Sequence, residues 1–374
     1  MKFILKPVDT FFFRNHKALV PGEDSEATGL FPPRPGTVYG ALRSAYIHEI
    51  SDFNTFRQQT DAKLLHWMGS TTSIGEFRLQ AHFWQDQHDL VFPCPFDHQV
   101  VEQQDEVAKG LRLRLVEEPE AQTWGSDQAQ NRLYGRTEAK SKSPANRYVY
   151  RKELEESLLT GGDLTVHPLS RWIAVEPKIG IAHDWRTKQT KKGMFYSMGM
   201  LRFVEDVQLV AYSNAAPADF RSVDYVSLGG KQRPWNLKVA TSDLKCNISP
   251  DDLIQAIENT GIARIILLTP AVWDAGTRPS CWDPVTDELI IGAQRYPVLT
   301  AAIGRPMLIG GWDIANNRPK PRQNAVPAGT VLYLKVEKNT AANLVKYLHE
   351  QNFSDQLTHE GYGYTWVGCG QIEQ

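Results

Sequence analysis

Two periodicities alternate along the chain. FRLQAHFW, residues 77–84, sets Phe77, Leu79, Ala81 and Phe83 at every second position, the spacing of a strand with one covered face. LRLRLV at 111–116 repeats it. FILKPVDTFFF near the start, MFYSMGMLRFVEDVQLVAY at 194–212, RIILLTP from Arg264 and TVLYLKVE at 330–337 also read as strands, RIILLTP as a buried one. Between them come segments of helical period. TVYGALRSAYIHEI (37–50) brings Val38, Leu42, Ala45 and Tyr46 to one face, with Thr37 as the expected N-cap. SPDDLIQAIENTG (249–261) is punctuated at both ends: Ser249 to cap, Pro250 in the first position, Asp252 in the first turn and Gly261 beyond the last. TAANLVKYLHEQN (340–352) groups Leu344, Val345 and Leu348.

The intervening segments carry no period. Residues 14–36 hold four prolines among polar residues and read as an exposed loop, and 118–147 read as a mobile insertion. The order is strand, long loop, helix and strands, then strands, helix, strand, long insert, strand, helix and a glycine-rich end. A mixed α+β protein with helices covering its sheets fits that order. A length of 374 residues suggests two domains. The expected division is 1–195, with an insertion at about 101–150, and 196–374.

Composition narrows the classes. A net charge of −2 rules out a global polycationic surface, and the four cysteines, Cys94, Cys246, Cys281 and Cys369, form no C-x-x-C pair, so neither zinc nor a disulfide framework is indicated. The N-terminal MKFILKPVDT is too short and polar for a signal peptide, and no apolar run approaches 18 residues. The chain therefore reads as soluble and cytoplasmic, with no membrane partner. Locally the charge is uneven. Residues 86–120 carry nine acidic and three basic side chains, whereas 131–152 carry seven basic and one acidic. In 171–202, Arg171, Lys178, Arg186, Lys188, Lys191, Lys192 and Arg202 face only Glu176 and Asp184. With Tyr134, Tyr148, Tyr150, Trp172, Trp185, Phe195 and Tyr196 interleaved, the two basic runs suit a single-stranded nucleic acid, whose phosphates want cations and whose bases want aromatic faces.

The chain ends in EGYGYTWVGCGQIEQ, with Gly361, Gly363, Gly368 and Gly370 close together. Cys369 after Gly368 excludes a P-loop, and Trp366 with so little chain after it excludes a dinucleotide fingerprint. A tight final hairpin and a loop that a ligand approaches both remain open. GGD at 161–163 lacks the second nearby acidic residue that metal chemistry wants, and reads as a turn.

Seven stretches in order, VDTFFFRNHKAL (8–19), FPPRPGTVYGALRSAYI (31–47), LVFPCPFDHQV (90–100), EPKIGIAHDWRTKQTKKGMFYS (176–197), SLGGKQRPW (227–235), GRPMLIGGWDIANNRPKPRQNAVPAGTVLYLK (304–335) and GYGYTWVG at the end, resemble the Cmr-type subunit three of type III-B CRISPR effector complexes, within the RAMP superfamily. The resemblance implies an α+β fold of two ferredoxin-like, RNA-recognition-type domains with long loop insertions. It implies a non-catalytic subunit without metal or cofactor that holds the repeat-derived 5′ tag of the CRISPR RNA. The partners it implies are the large polymerase/cyclase subunit and a backbone RAMP subunit, with target RNA met indirectly.

On that reading the RNA-contacting residues are Arg14 after the Phe triplet, Arg186, Lys188, Lys191 and Lys192 in the 186–193 loop, and Arg318, Lys320 and Arg322 in the Pro-rich loop after Gly310 and Gly311. The glycines Gly361, Gly363 and Gly368 would offer backbone N–H groups to phosphate oxygens. Arg43 on the first helix reads as a packing residue. The alternatives are a CRISPR RNA-processing endoribonuclease of the same superfamily, with His16 or His48 as general acid/base, and a tag-binding subunit of another effector type.

Overall fold

The computed structural model describes residues 1–15, 26–102, 107–117, 131–187, 189–313 and 318–372, without the side chains of 26–28, 182–183, 190–196 and 313. Two antiparallel sheets organise it. The larger has ten strands: β1 (Lys2–Pro7), β2 (Ala81–Gln85), β3 (Leu90–Pro93), β4 (His98–Glu102), β5 (Ala108–Arg112), β6 (Arg147–Tyr150), β7 (Leu164–Pro168), β10 (Gln208–Tyr212), β11 (Tyr225–Ser227) and β12 (Pro234–Ala240). Their spatial order is β11-β12-β1-β10-β2-β3-β6-β7-β5-β4. Between β7 and β10 the chain makes a long hairpin, β8 (Ile173–His183) and β9 (Thr190–Phe203), joined by the short strand Glu26–Thr28. The second sheet has six strands, β13 (Ile262–Leu267), β14 (Trp282–Asp283), β15 (Glu288–Ile291), β16 (Gln294–Ala302), β17 (Val331–Lys335) and β18 (Thr365–Cys369), in the order β14-β15-β16-β17-β13-β18.

Alternation along the strands of the large sheet builds a core on each face. Phe83 and Phe92 point to one side, Trp84 and Val91 to the other. On the second side, helix α1 (Pro35–Ile50) lays Val38, Leu42 and Tyr46 over Phe3, Leu5, Leu209 and Trp235. On the first side, helix α2 (Arg151–Thr160) brings Leu154 and Leu158 into one cluster with Ile265, Leu332, Tyr364 and Trp366 of the smaller sheet. Helices α3 (Pro250–Thr260) and α4 (Ala341–Leu348) add Leu253, Ile257, Leu344 and Leu348 to that cluster. The two sheets thus share a core.

A buried ion pair crosses that contact. Asp97, in the loop before β4, meets Arg264 of β13 at 2.7 Å, and both side chains are fully buried. Tyr333 donates its hydroxyl to the same carboxylate oxygen at 2.7 Å, and His98 Nδ1 lies 2.8 Å from the other. Burial alone would raise the Asp97 pKa; Arg264, His98 and Tyr333 overcome it and hold the carboxyl below its usual range.

Most expected elements are present, with shifted edges. Ser249 caps α3 as expected, its Oγ accepting from the Asp252 N–H at 3.1 Å, and Gly261 ends it with φ +67°. The cap of α1 is corrected: the helix begins at Pro35, whose ring presets the helical φ, and Thr37 lies inside the first turn. In 77–84 only Ala81 onward belongs to a strand, and 111–116 splits into two at Leu113, the residues before it pairing with 98–102 and those after it with 131–134. The expected insertion is partly folded: 131–134 pairs with 114–117, and Leu133 packs on the core. Residues 118–130 lie outside the described residues. GGD is a turn, Gly161 ending α2 at φ +60° and Asp163 pairing with Arg136 and Lys109. Strand β9 runs through position 195/196, and β10 and β12 flank β1 in the large sheet.

Candidate nucleic-acid interface

Three stretches distant in sequence surround one groove of about 1,200 Å³. The first is the start of α1. Pro35 opens the helix, and the small Gly36, Gly40 and Ala41 leave its groove side shallow. A Cβ on Gly40 would meet no atom within 4 Å. Arg43, one turn on, is held away from solvent: its Nε and Nη2 donate to Met68 O and Ser70 O at 2.8 and 2.9 Å, and its guanidinium lies over Phe56. This matches its expected packing role.

The second wall is a hairpin in 307–325. Met307–Ile309 pairs with Gln323–Ala325, and Trp312–Asp313 with Arg318–Pro319. Lys320 N–H donates to Gly311 O at 2.9 Å, and Gly310, Gly311, Trp312 and Lys320 line the groove while Arg318 and Arg322 stand exposed on either side of Lys320 in the chain. Arg34, just before α1, ties the hairpin down through Met307 Sδ and Leu308 O, both at 3.1 Å. The third wall is the turn at 222–232. Gly229, at φ +89°, sits where a Cβ would come 2.7 Å from Phe12 O, and Gly230 N–H donates to that oxygen. The turn is therefore anchored to the Phe triplet, and Arg14, which follows the triplet in the chain, is exposed.

Two aromatic rings on these walls face solvent, Trp312 at 55% exposure and Tyr225 at 64%. Three carboxylates also line the groove, Glu49 and Asp224, both exposed, and Glu360, buried at 8% exposure. The nearest nitrogens paired with Glu360 are His359 Nε2 at 3.8 Å and Lys320 Nζ at 3.9 Å, beyond hydrogen-bond reach, and its Oε2 lies against Gly36. Burial raises the Glu360 pKa, with Lys320 and Arg43 pulling the other way. Burial likewise lowers His359 to about 4, so this imidazole is neutral near pH 7.

The glycines of the C-terminal segment require correction. Gly361 and Gly363 take φ +91° and +77°, but their N–H groups donate to Thr358 O and Pro270 O at 3.0 and 2.7 Å. A Cβ on Gly363 would come 2.6 Å from the Phe353 backbone, and one on Gly368, in β18, 2.7 Å from Leu158 Cα. All three are buried. The protein's own backbone is what approaches them, and Gly361 and Gly363 have no N–H left for a phosphate.

The basic 186–193 loop lies elsewhere, at the tip of the β8–β9 hairpin. Arg186 is exposed, its guanidinium 4.8 Å from the ring centre of exposed Trp185. Lys188 falls outside the described residues, and Lys191 and Lys192 occupy β9 positions whose side chains do too. Lower on the same hairpin, Lys178 and Arg202 are paired with Asp9 and Glu176. His48 stands on α1 at the groove margin with its ring 5.3 Å from that of Phe53; His16 is outside the described residues. Among the described residues no three His, Cys, Asp or Glu side chains gather as a metal site, and no helix is long and apolar enough to cross a membrane.

Sequence reasoning missed Trp312, Tyr225 and Glu360. The two aromatics stand within stretches rich in glycine and charge, where their solvent exposure carried no periodic signal. Glu360 immediately precedes the glycine run, and nothing in its spacing says that it is buried.

Comparison with known proteins bears on the assignment at this point. A family model described as CRISPR-associated protein (Cas_Cmr3) matches residues 3–369. The chain belongs to the Cas_Cmr3 family. Two solved chains share the fold of this family member. One, from a cryo-EM structure of type III-B Cmr-beta bound to cognate target RNA and AMPPnP, has 16% identity and a TM-score of 0.52, with 97% of this chain and 95% of that chain covered. The other, from type III-B Cmr-beta bound to cognate target RNA, has 17% identity and a TM-score of 0.50, with 89% and 86% covered. A search of curated proteins found no match.

Proposed function

We propose that the chain is a non-catalytic, RNA-binding subunit of a type III-B CRISPR effector complex. It holds the repeat-derived 5′ tag of the CRISPR RNA, docks the large polymerase/cyclase subunit and a backbone RAMP subunit in the cytoplasm, and meets target RNA through the assembled complex. The observation that carries this reading is the convergence of α1, the 307–325 hairpin and the 222–232 turn on one groove in a Cas_Cmr3 chain. Backbone cations track phosphates, and solvent-facing rings stack unpaired bases. The groove supplies Lys320, flanked by Arg318 and Arg322, with Trp312 and Tyr225. Arg14 extends this surface past the turn. Arg186, Lys188, Lys191 and Lys192 form a second contact on the β8–β9 hairpin, reaching RNA or a neighbouring subunit.

Strand order supports a ferredoxin-like unit in each sheet. β12-β1-β10-β2 and β18-β13-β17-β16 both follow the 4-1-3-2 order, counted along the chain, with antiparallel neighbours. Each unit departs from the ideal in one helix. The first has the short 3₁₀ turn Ala218–Ser222 in place of its second helix, and the second carries α3 ahead of its first strand. On this reading the units divide between β12 and α3, not at 195/196.

The test is to express a tagged copy in its native host and sequence the RNA that copurifies. RNAs sharing one repeat-derived 5′ segment before varied spacer sequence are expected. RNAs of unrelated sequence, or none after gentle low-salt washing, would overturn the reading.

A further inference from the structure

Of the three carboxylates that line the groove, Glu49 and Asp224 are exposed to water, whereas Glu360 is buried, a placement that phosphate binding does not explain. Glu360 is nine-tenths buried, lines the groove between α1 and the 307–325 hairpin, and accepts no hydrogen bond among the described residues. Its two neighbouring cations do not neutralise it closely. Arg43 donates to Met68 O and Ser70 O, and Lys320 stops 3.9 Å short with its ammonium half-exposed. A buried carboxylate without hydrogen bonds is costly, and it repels the phosphate that Lys320 attracts. A neutral N–H donor from outside would satisfy it.

We infer that Glu360 reads the Watson–Crick edge of one unstacked base in the bound RNA, and that this base is guanine. The inference rests on the RNA-binding role proposed above. Guanine presents two adjacent donors on that edge, N1–H and the N2 amino group, which match the two oxygens of an ionised carboxylate. Adenine and cytosine present a single amino group beside an acceptor, and uracil a single N–H between two carbonyls that a carboxylate repels. Single-stranded RNA is read in this way, through splayed bases whose edges are hydrogen-bonded and whose faces are stacked. Trp312 and Tyr225 supply exposed rings on the walls. The missing side chains at Gly36 and Gly40 keep the approach clear: a Cβ on Gly36 would fall 2.3 Å from Glu360 Oε2.

The experiment compares the full-length wild-type chain with Glu360→Gln, a change of nearly equal size, in selection from a random pool of short single-stranded RNAs followed by sequencing. Wild type is expected to enrich guanine at one position. Glu360→Gln is expected to lose that enrichment by roughly ten-fold, within the range one bidentate base contact supplies, while total RNA binding holds or rises because a negative charge is gone. Trp312→Ala, at an exposed position, should weaken binding to all sequences without unfolding the chain. Equal guanine enrichment in wild type and Glu360→Gln, or RNA binding by wild type with no guanine preference, would overturn the assignment and leave the RNA-binding role standing. Failure of wild type to bind any RNA would overturn both. Guanosine monophosphate distinguishes a free nucleotide from a base within RNA: displacement of the selected RNA at equimolar nucleotide would make this a mononucleotide site and overturn the RNA assignment.

Discussion

On the 307–325 hairpin, a Cβ added to Gly310 or Gly311 would meet nothing nearer than 3.5 Å, whereas on Gly363 or Gly368 it would be driven to within 2.7 Å of neighbouring backbone. Both segments are glycine-rich, and each lies beside a tryptophan and an acidic residue. Trp366 is fully buried and Trp312 is not. A glycine reports that something needs the space or the backbone angle; it does not report whether the visitor is the chain itself or a ligand. In the C-terminal segment the visitors are Phe353 and Leu158, so the glycines there belong to the core. In the hairpin the space is left open beside Lys320 and Trp312.

The sharpest way to break this contrast is Gly363→Val, which must leave φ +77° and displace the Phe353 backbone. We expect a loss on the order of 4 kcal/mol, read by chemical denaturation, with RNA binding lost only as the fold is lost. A normally stable variant that fails to bind RNA would return this glycine to the interface. Asp97→Asn tests the same buried side, since it leaves Arg264 fully buried without its counter-charge. A cost of about 3–5 kcal/mol is expected. The folded carboxyl lies below its unfolded value, so its contribution is present above roughly pH 4 and is lost as pH falls further. The wild-type melting temperature should drop steeply across that window, and the Asp97→Asn profile should be flatter there.

On the open side the expected effects move from stability to binding. Reversing Arg318, Lys320 and Arg322 together to Glu should weaken RNA binding roughly ten-fold at low salt. It should also reduce the salt slope by about 0.7 for each phosphate that the hairpin ceases to neutralise. Melting should be little changed, because all three side chains are exposed. An unchanged slope would remove the hairpin from the interface. Smallest of all is Gly310→Ala, which meets no close atom and should alter stability by less than about 0.5 kcal/mol. A large loss there would erase the difference between the two glycine segments.

Much of the fold was legible because it is written locally. Ser249, Pro250 and Gly261 mark both ends of α3 through their own backbone preferences. The alternation at Ala81 to Trp84 marks a strand, though not that both of its faces are covered. The edges that moved did so for nearby reasons, as when Pro35 opened α1 two residues before Thr37. Arg264 shows where local reading stops: it sits inside an otherwise apolar strand, and its partner Asp97 lies 167 residues away. The candidate interface was legible in part. Lys320, Arg318 and Arg322 stand out as cations spaced by prolines, while Glu360 and Tyr225 acquire meaning only through what surrounds them.

The sequence by itself determined the family, the helices with their punctuation, most strands and the positions of the basic loops, because periodicity, caps and ordered motifs act over a few residues. Tertiary structure alone decided that the C-terminal glycines face inward, that Asp97 and Arg264 join the two sheets, and that α1, the hairpin and the 222–232 turn enclose one groove. Burial and long-range pairing depend on which distant surfaces meet, and no local pattern encodes that.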